Sequence, residues 1–345
     1  MIRVLICDDS AVVRGAMARL LDGDAGIKLV GSVGDGRAAL EALPSLKPDV
    51  ILLDLEMPVM DGMTALPLLL RAKPKPVVIV ASALTQRGAS ATMAALNAGA
   101  ADYIPKPTAS QGGMADPGFR AELIAKIKGW ARVGQRSSAP APVRRVAPVL
   151  TRAPRVLAIA ASTGGPQALA AFVRRLPRNL PVPVAIVQHM PPGFTAMLAQ
   201  HLGGLGGLPC VEGRDGEVFE RGRIYMAPGD HHMVIRKSPS GAPVIALNRD
   251  PAENFCRPAA DPMLRSLPPI FGPDVLAVVL TGMGQDGLLG CRAVAQAGGA
   301  VLAQDEASSV VWGMPGAVAK AGLAKLQAAP EALADEALSA FRVSA

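Results

Sequence analysis

Three residues of the types that carry out acyl transfer lie far apart in the second half of the sequence. Ser162, His189 and Asp286 each follow a short apolar run. A hydroxyl becomes a good nucleophile when a neighbouring imidazole takes its proton, and a carboxylate orients that imidazole. Histidine suits this task because its unperturbed pKa lies near neutrality. The three residues therefore predict a triad, with Ser162 as nucleophile, His189 as base and Asp286 as the group that orients the base.

The apolar runs that precede these residues predict buried parallel strands over Val156–Ile159, Val184–Val187 and Leu276–Leu280. The carboxyl ends of such strands share one edge of the sheet, where ligands bind in open α/β folds. Ser162 lies in a glycine-rich turn that precedes a predicted helix, and the N–H groups at a helix start favour negative charge. The chain order Ser, His, Asp and the lack of a G-x-S-x-G motif disfavour an ordinary lipase or esterase fold.

Each of these residues also has a simpler interpretation. The turn at Ser162 is compatible with a phosphate or dinucleotide site, or with a plain connection between a strand and a helix. Asp286 is compatible with the N-cap of a helix over Leu288–Gln296. A histidine at a strand end is often a surface or capping residue. Three further histidines are rival bases: His201 within a predicted helix, and the pair His231 and His232 in a predicted turn.

The first half of the chain carries a different set of polar residues at predicted strand ends. They are Asp8, Asp9, Asp54, Ser82 and Lys106. Three carboxylates at one sheet edge repel one another unless a cation lies among them, and an oxygen-only cluster suits Mg²⁺. Lysine adds a point charge that can hold a phosphoryl oxygen. The alternative is a set of solvated loop acids.

This half resembles the receiver domain of two-component response regulators. The resemblance rests on four segments: Cys7-Asp8-Asp9-Ser10, Leu53-Asp54-Leu55-Glu56-Met57-Pro58 with Asp61-Gly62, Ala81-Ser82-Ala83, and Tyr103-Ile104-Pro105-Lys106-Pro107. It implies a flavodoxin-like, doubly wound parallel sheet and phosphorylation of Asp54 by a histidine kinase of the chemotaxis type. It also implies that Asp8, Asp9, Asp54 and the backbone of Glu56 bind Mg²⁺, and that Ser82, Tyr103 and Lys106 relay the switch. No role is assigned to Thr108–Gly118.

The second half resembles the catalytic domain of the chemotaxis protein-glutamate methylesterase/glutaminase family, CheB. The matching segments are Ala161–Pro166, Gln188–Phe194, Ala227–Gly229 and Thr281–Gly287. The resemblance implies an α/β, mostly parallel sheet, the triad above, and an oxyanion hole made by the N–H groups of Thr163 and Met283. It implies no cofactor in this domain and methyl-accepting chemotaxis receptors as substrate. The family usually has a basic-polar stretch that ends in Arg-Pro-Ser-Val-Asp, whereas this chain has Asn254-Phe255-Cys256-Arg257-Pro258-Ala259-Ala260-Asp261 and so lacks a hydroxyl.

The expected organisation is a receiver at residues 1–131, a Pro/Ala/Arg-rich linker at 132–153 and a catalytic domain at 154–345. The net charge of +7 is confined to the connecting segment, because Lys128–Arg155 holds seven basic and no acidic residues, which leaves 28 of each elsewhere. A nucleic-acid-binding domain would carry its basic charge on a folded face. A DNA-binding regulator is therefore disfavoured, and we predict no nucleic-acid partner.

The remaining composition indicates a monomeric cytoplasmic protein without membrane insertion. The four cysteines show no paired spacing, and no stretch predicts a signal peptide or a membrane span. Two functions remain open: a hydrolase activated by phosphorylation, in which the resting receiver covers the Ser162 cleft, and a response regulator whose second domain only binds a partner.

Overall fold

The apolar runs form the central strands of two separate parallel sheets. The structure is a computed structural model that describes residues 1–83, 85–106, 116–135, 144–145 and 152–342. These residues belong to two compact units, 1–137 and 138–345. Within the described residues, no helix combines the length and the apolar character that crossing a membrane requires.

The first unit has a five-stranded parallel sheet in the order β2-β1-β3-β4-β5. This is the flavodoxin-like order, in which ligands bind beside the carboxyl ends of the central strands. The first four helices begin at side-chain caps, namely Ser10, Asp35, Asp61 and Thr85. The elements are β1 (Ile2–Cys7), α1 (Ala11–Leu21), β2 (Ile27–Val33), α2 (Gly36–Leu46), β3 (Val50–Asp54), α3 (Gly62–Leu69), β4 (Val77–Ser82), α4 (Gln86–Asn97), β5 (Asp102–Pro105) and α5 (Pro117–Gln135).

The second unit is built on a larger, mostly parallel sheet, in the order β6-β15-β14-β13-β7-β8-β10-β9, and a separate antiparallel pair, β11-β12. Strands β7, β8, β13 and β14 are buried along their whole length. The elements are β6 (Arg144–Arg145), β7 (Val156–Ala161), α6 (Gly165–Val173), β8 (Val184–Gln188), α7 (Phe194–Gly206), β9 (Cys210–Glu212), β10 (Ile224–Met226), β11 (His232–Lys237), β12 (Pro243–Asn248), α8 (Ala260–Ser266), α9 (Pro268–Phe271), β13 (Val275–Val279), α10 (Leu288–Gln296), β14 (Ala300–Gln304), α11 (Met314–Lys320), β15 (Leu326–Ala328) and α12 (Pro330–Arg342).

The predicted fold class, α/β with a doubly wound parallel sheet in the first unit and a mostly parallel sheet in the second, is confirmed. The short strands β6, β9 and β15 were not predicted. Helix α5 continues to Gln135, four residues beyond the predicted end of the receiver, and β6 lies within the predicted linker. Linker residues 136–143 and 146–151, Pro107 and residues 108–115 of the unassigned loop lie outside the described residues.

Candidate active site and phosphorylation site

Ser162 lies directly after β7, on the turn that leads into α6. Its N–H donates to Thr281 O at 3.0 Å, and its carbonyl accepts from Gly165 N at 2.8 Å. The turn depends on glycines, since Gly164 has a φ of +75° and a Cβ on Gly165 would lie 1.9 Å from Gln188 Oε1. The backbone therefore fixes Ser162 at the carboxyl edge of the sheet.

His189 lies beside Ser162 because β7 and β8 are paired in parallel with Ala161 opposite Gln188. The next residues of the two strands are Ser162 and His189. Two hydrogen bonds hold this edge together: His189 N donates to Ala161 O at 3.1 Å, and Gln188 Nε2 donates to Ser162 O at 2.9 Å. The sheet register thus delivers the predicted nucleophile and base to neighbouring positions.

Asp286 is joined to His189 by a 2.7 Å hydrogen bond between Oδ2 and Nε2. The carboxylate is 1% exposed and accepts further hydrogen bonds from its surroundings. The donors are Ala260 N at 2.5 Å, Asp261 N at 3.1 Å, Gly287 N at 2.9 Å and Asn254 Nδ2 at 3.1 Å. Burial alone would raise the pKa of Asp286, but these bonds and His189 lower it below its ordinary value. Asp286 is therefore an ionised acceptor.

An ionised carboxylate can only accept, so His189 Nε2 carries the hydrogen that points at Asp286. The other ring nitrogen, Nδ1, remains available as the base. It contacts the Cys256 sulfur at 3.3 Å. Burial lowers the pKa of His189, but the hydrogen bonds to Asp286 and Cys256 outweigh it and raise the pKa to about 10. This nitrogen therefore binds a proton strongly.

The structure brings two of the three predicted triad members into hydrogen-bonding contact, His189 and Asp286. The Ser162 hydroxyl forms no hydrogen bond with another described residue, His189 included. Catalytic hydrogen bonds are often absent in an unliganded site and form in the substrate complex. Ser162 lies at the adjacent strand end. The triad therefore requires a rotation about the Ser162 side-chain bond and the displacement of Cys256 from His189 Nδ1.

The two predicted oxyanion donors flank Ser162 along the same edge. Among the described residues, the N–H groups of Thr163 and Met283 donate to no other group. Thr163 is anchored by Thr281 Oγ1, which donates to its carbonyl at 2.8 Å. Helices α6, α7 and α10 start at Gly164, Gly193 and Gly287 without a side-chain cap. Unpaired N–H groups of this kind can stabilise an oxyanion.

The rival histidines have other contacts. His232, placed in a turn by the sequence, is instead the first residue of β11, is 1% exposed, and bonds Pro251 O and Ala259 N through its two ring nitrogens. His231 contacts Gly229 O and accepts from Arg249 Nε. His201 lies within α7, where burial and Arg174 lower its pKa. None of the three contacts Ser162 or Asp286 in the described structure.

The departure at Ala259 falls at the N-cap of α8, which has no side-chain cap. Asp286 takes over this role, because its carboxylate accepts from the N–H groups of Ala260 and Asp261. Asp286 is not the N-cap of α10, since that position is Gly287. The first N–H groups of α8 therefore have a carboxylate from another element as their acceptor.

Two residues of the site were not predicted, Asn254 and Cys256. Asn254 Nδ2 lies 3.1 Å from both Asp286 Oδ1 and Asp261 Oδ2, so it separates two buried carboxylates. Cys256 contacts the base. Both belong to the irregular segment between β12 and α8. The only signal in the sequence was the departure of this segment from the family pattern.

The acidic edge of the first unit also gathers its predicted residues. One carboxylate oxygen each from Asp8, Asp9 and Asp54 lies within 4.8 Å of the others. Lys106 Nζ contacts Asp8 Oδ2 and Asp54 Oδ2 at 2.7 Å each. Burial raises the pKa of Asp54 more than Lys106 lowers it. A cavity of about 270 Å³ opens at Asp54, Glu56, Ser82 and Lys106.

The three predicted relay residues occupy different environments. Lys106 contacts the acids directly. The Ser82 hydroxyl, 3% exposed, donates to Gly88 O of α4 at 3.0 Å. Tyr103 is 4% exposed on β5, with Lys126 Nζ 4.8 Å from the ring centroid. The Glu56 side chain forms an exposed ion pair with Arg87 at 3.6 Å, whereas its backbone N–H donates to Asp54 Oδ1 at 3.4 Å at the acidic edge.

Together, the two folds define a response regulator whose receiver precedes an α/β enzyme domain. The model of the CheB methylesterase family matches residues 157–337, and that of the response regulator receiver domain matches residues 4–115. The chain belongs to the CheB methylesterase family.

Similar proteins agree with this assignment. A protein-glutamate methylesterase/protein-glutamine glutaminase of Azospirillum brasilense is 49% identical and aligns over 93% of this chain and 88% of its own length. The second such protein of Caulobacter vibrioides is also 49% identical, over 94% of both chains. The crystal structure of the Thermotoga maritima CheB methylesterase catalytic domain has 37% identity and a TM-score of 0.53, over 54% of this chain and 98% of that one.

Proposed function

We propose that this protein hydrolyses glutamate methyl esters, and the side-chain amides of certain glutamines, in methyl-accepting chemotaxis receptors. The observation that carries the proposal is the His189–Asp286 hydrogen bond of 2.7 Å beside Ser162 at the sheet edge. Relatives along nearly the whole chain are named for both reactions. Phosphorylation of the receiver by a chemotaxis-type histidine kinase raises the activity.

In the first half-reaction, Ser162 Oγ attacks the side-chain carbonyl carbon of the substrate. His189 Nδ1 takes the hydroxyl proton, and Asp286 stabilises the resulting imidazolium. The carbonyl oxygen becomes an oxyanion that accepts from the N–H groups of Thr163 and Met283. Each such donor stabilises the transition state by about 3 kcal/mol.

The tetrahedral intermediate then collapses. The carbon–oxygen bond to the methoxy group breaks, methanol leaves with the proton of Nδ1, and a glutamyl ester of Ser162 remains. With a glutamine side chain the carbon–nitrogen bond breaks instead and ammonia leaves. Water attacks the acyl-enzyme with His189 again as base, which releases glutamate and restores the Ser162 hydroxyl.

The receiver site has the chemistry that Mg²⁺ and a phosphoryl group require. Asp8 Oδ2 is buried and is paired with Lys106 Nζ at 2.7 Å, and as a carboxylate oxygen it is also of the type that Mg²⁺ prefers as a ligand. Asp8, Asp9, Asp54 and the Glu56 backbone would hold the ion, which supplies positive charge for phosphoryl transfer when bound. Asp54 accepts the phosphoryl group, and Lys106 pairs with its oxygens.

The Ser82 hydroxyl supplies a route for the switch. It now bonds Gly88 O, and so it connects the end of β4 to the first turn of α4. A phosphoryl oxygen on Asp54 competes for this hydroxyl, and release of Gly88 O loosens α4. The side chain of Tyr103, on the neighbouring strand β5, changes its position together with α4. In the resting protein the receiver restrains the catalytic domain, and phosphorylation removes that restraint by shifting a two-state equilibrium.

The test is methanol release from methylated receptors. Ser162→Ala should lower the rate at least about 10³-fold, because the acyl-enzyme is lost. Circular dichroism should show an unchanged fold, because the hydroxyl makes no hydrogen bond that the fold needs. Release of methanol by the variant at the wild-type rate would remove Ser162 as the nucleophile and with it this mechanism.

A further inference from the structure

Cys256 completes a second chain of catalytic groups in the same site. Its sulfur lies 3.3 Å from His189 Nδ1, and His189 Nε2 lies 2.7 Å from Asp286 Oδ2. Thiol, imidazole and carboxylate are therefore connected in the order that activates a cysteine nucleophile. The mechanism of ester hydrolysis described above does not use this thiol.

A hydrogen-bonded turn between Glu253 and Cys256 fixes the position of Cys256. Glu253 and Cys256 exchange two backbone hydrogen bonds, at 2.9 and 3.2 Å, and the intervening Asn254 is tied to Asp286 and Asp261. The thiol is also accessible. Cys256 is partly exposed, whereas Cys7, Cys210 and Cys291 are buried. A thiol that is both accessible and paired with an imidazole is the kind that reacts.

We propose that Cys256 is an activated thiol and a modification site for soft electrophiles, with hydroperoxides as the chemical class it meets in a cell, and that its modification stops the hydrolase. Transfer of the thiol proton to His189 Nδ1 gives a thiolate beside an imidazolium. The inhibitory part rests on the proposed function, whereas the reactivity of the thiol does not.

The reaction with a hydroperoxide balances within the site. The thiolate attacks one peroxide oxygen, a sulfur–oxygen bond forms and the oxygen–oxygen bond breaks. The departing oxygen takes the proton of His189 Nδ1 and leaves as water or an alcohol. Sulfur is oxidised by two electrons to a sulfenic acid, and the peroxide is reduced by two. A low-molecular-weight thiol can later reduce the sulfenic acid through a disulfide.

Modification blocks hydrolysis because Ser162 and Cys256 share one nitrogen. Nε2 of His189 is engaged by Asp286, so Nδ1 alone can take the proton of Ser162. An oxygen or an alkyl group on the Cys256 sulfur, 3.3 Å from Nδ1, fills the space from which the hydroxyl must approach. Modification of the Cys256 thiol therefore prevents His189 from activating the Ser162 hydroxyl.

The reactivity is tested by timed alkylation of the full-length protein with iodoacetamide at neutral pH, followed by peptide mass spectrometry of all four cysteines. Cys256 should react first. His189→Gln should slow its alkylation at least about tenfold, because the exposure is kept and the base is lost. Asp286→Asn should also slow it, and Ser162→Ala should not. Equal rates in wild type and His189→Gln would overturn the proposal.

The inhibition is tested by treatment with hydrogen peroxide, followed by methanol release and trapping of sulfenic acid with dimedone. Wild type should lose activity in step with trapping at Cys256 and regain it with dithiothreitol. Cys256→Ala should keep the activity it has before treatment. Equal loss in both proteins would overturn the inhibitory role. If no preparation releases methanol but the alkylation results hold, the proposed function fails and the activated thiol stands.

Discussion

At the scale of single residues, the chemistry depends on what each nitrogen of His189 contacts. Nε2 is fixed by Asp286, which is held by backbone N–H groups of Ala260, Asp261 and Gly287 and by Asn254. Nδ1 faces a thiol in this structure, although the proposed reaction needs it to face a hydroxyl. The resting contact and the catalytic contact therefore exclude each other.

This competition predicts a change in the pH profile of Cys256→Ala. A raised pKa keeps Nδ1 protonated to higher pH, so kcat/KM rises as pH rises through that pKa and the free base forms. Asp286 and Cys256 both contact the His189 ring and raise its pKa. Asp261 is hydrogen-bonded to Asn254. Without Cys256 the rise should occur at lower pH, because one of the groups that raise this pKa is removed. A profile that stays in place, or moves to higher pH, would contradict this reading; Cys210→Ala is the matched control.

The charge of the Asp286 carboxylate is predicted to contribute more to kcat than one of the groups that donate hydrogen bonds to it. Asp286→Asn places an amide beside Nε2, which favours the tautomer with the hydrogen on Nδ1, the wrong nitrogen. We expect kcat to fall by about 10⁴-fold. Asn254→Ala removes one of several donors to the same carboxylate and should cost roughly tenfold or less. Comparable losses in the two variants, measured by methanol release, would indicate that geometry and not the charge of residue 286 is decisive.

The sequence pointed to the main candidate residues because they follow regular strands. Ser162, His189 and Asp286 come after buried runs whose ends meet in any parallel sheet, and the same logic placed Asp54 and Lys106. It missed Asn254 and Cys256 because they lie on an irregular turn, where no periodicity links local position to a distant partner. It put His232 in a turn because a histidine after Pro-Gly-Asp does not look like the start of a strand, yet His232 begins β11.

At the scale of elements, the site is a junction of strand ends that leaves little room for side chains. Gly282 lies in the turn after β13, and a Cβ there would approach Ser162 Cβ to 2.8 Å and Met314 Sδ to 2.3 Å. Its N–H donates to Val311 O, and its carbonyl accepts from Gly313 N and Met314 N. The β13 turn and the start of α11 thus form the wall behind the nucleophile.

Gly282→Ala should therefore displace Ser162 or Met314. We expect the free energy of unfolding to fall by roughly 1–3 kcal/mol and kcat to fall by a larger fraction of its wild-type value. Gly204→Ala in α7 is the matched control, because a Cβ there meets nothing within 4 Å. Chemical denaturation and methanol release measure both effects. A variant as stable and as active as the control would show that this turn is looser than the contacts imply.

At the scale of the whole molecule, one chain combines a phosphorylation site with a hydrolase site. Each site is complete within its own unit, since the acidic edge uses residues of 1–137 and the triad uses residues of 138–345. Coupling between them is therefore a matter of regulation and not of shared catalytic groups.

Removal of the receiver, by deletion of residues 1–150, should raise the basal rate of methanol release. An unchanged or lower rate would exclude restraint by the receiver.

Phosphorylation should act through Asp54 alone. With a small acyl phosphate as donor and Mg²⁺ present, methanol release by wild type should increase severalfold, and Asp54→Asn should remain at the basal rate. Removal of the divalent ion with a chelator should abolish the increase without altering the basal rate, because no step of the proposed triad mechanism needs a metal ion. An increase in the Asp54→Asn protein would show that the acyl phosphate acts elsewhere.

The most direct test of the account is covalent labelling of the full-length protein by a serine-directed phosphonate, with the labelled peptide identified by mass spectrometry. The account predicts one dominant adduct, on Ser162, that forms much more slowly in His189→Gln and Asp286→Asn. No adduct on Ser162, or an adduct whose rate does not depend on His189, would contradict the claim that these three side chains act together.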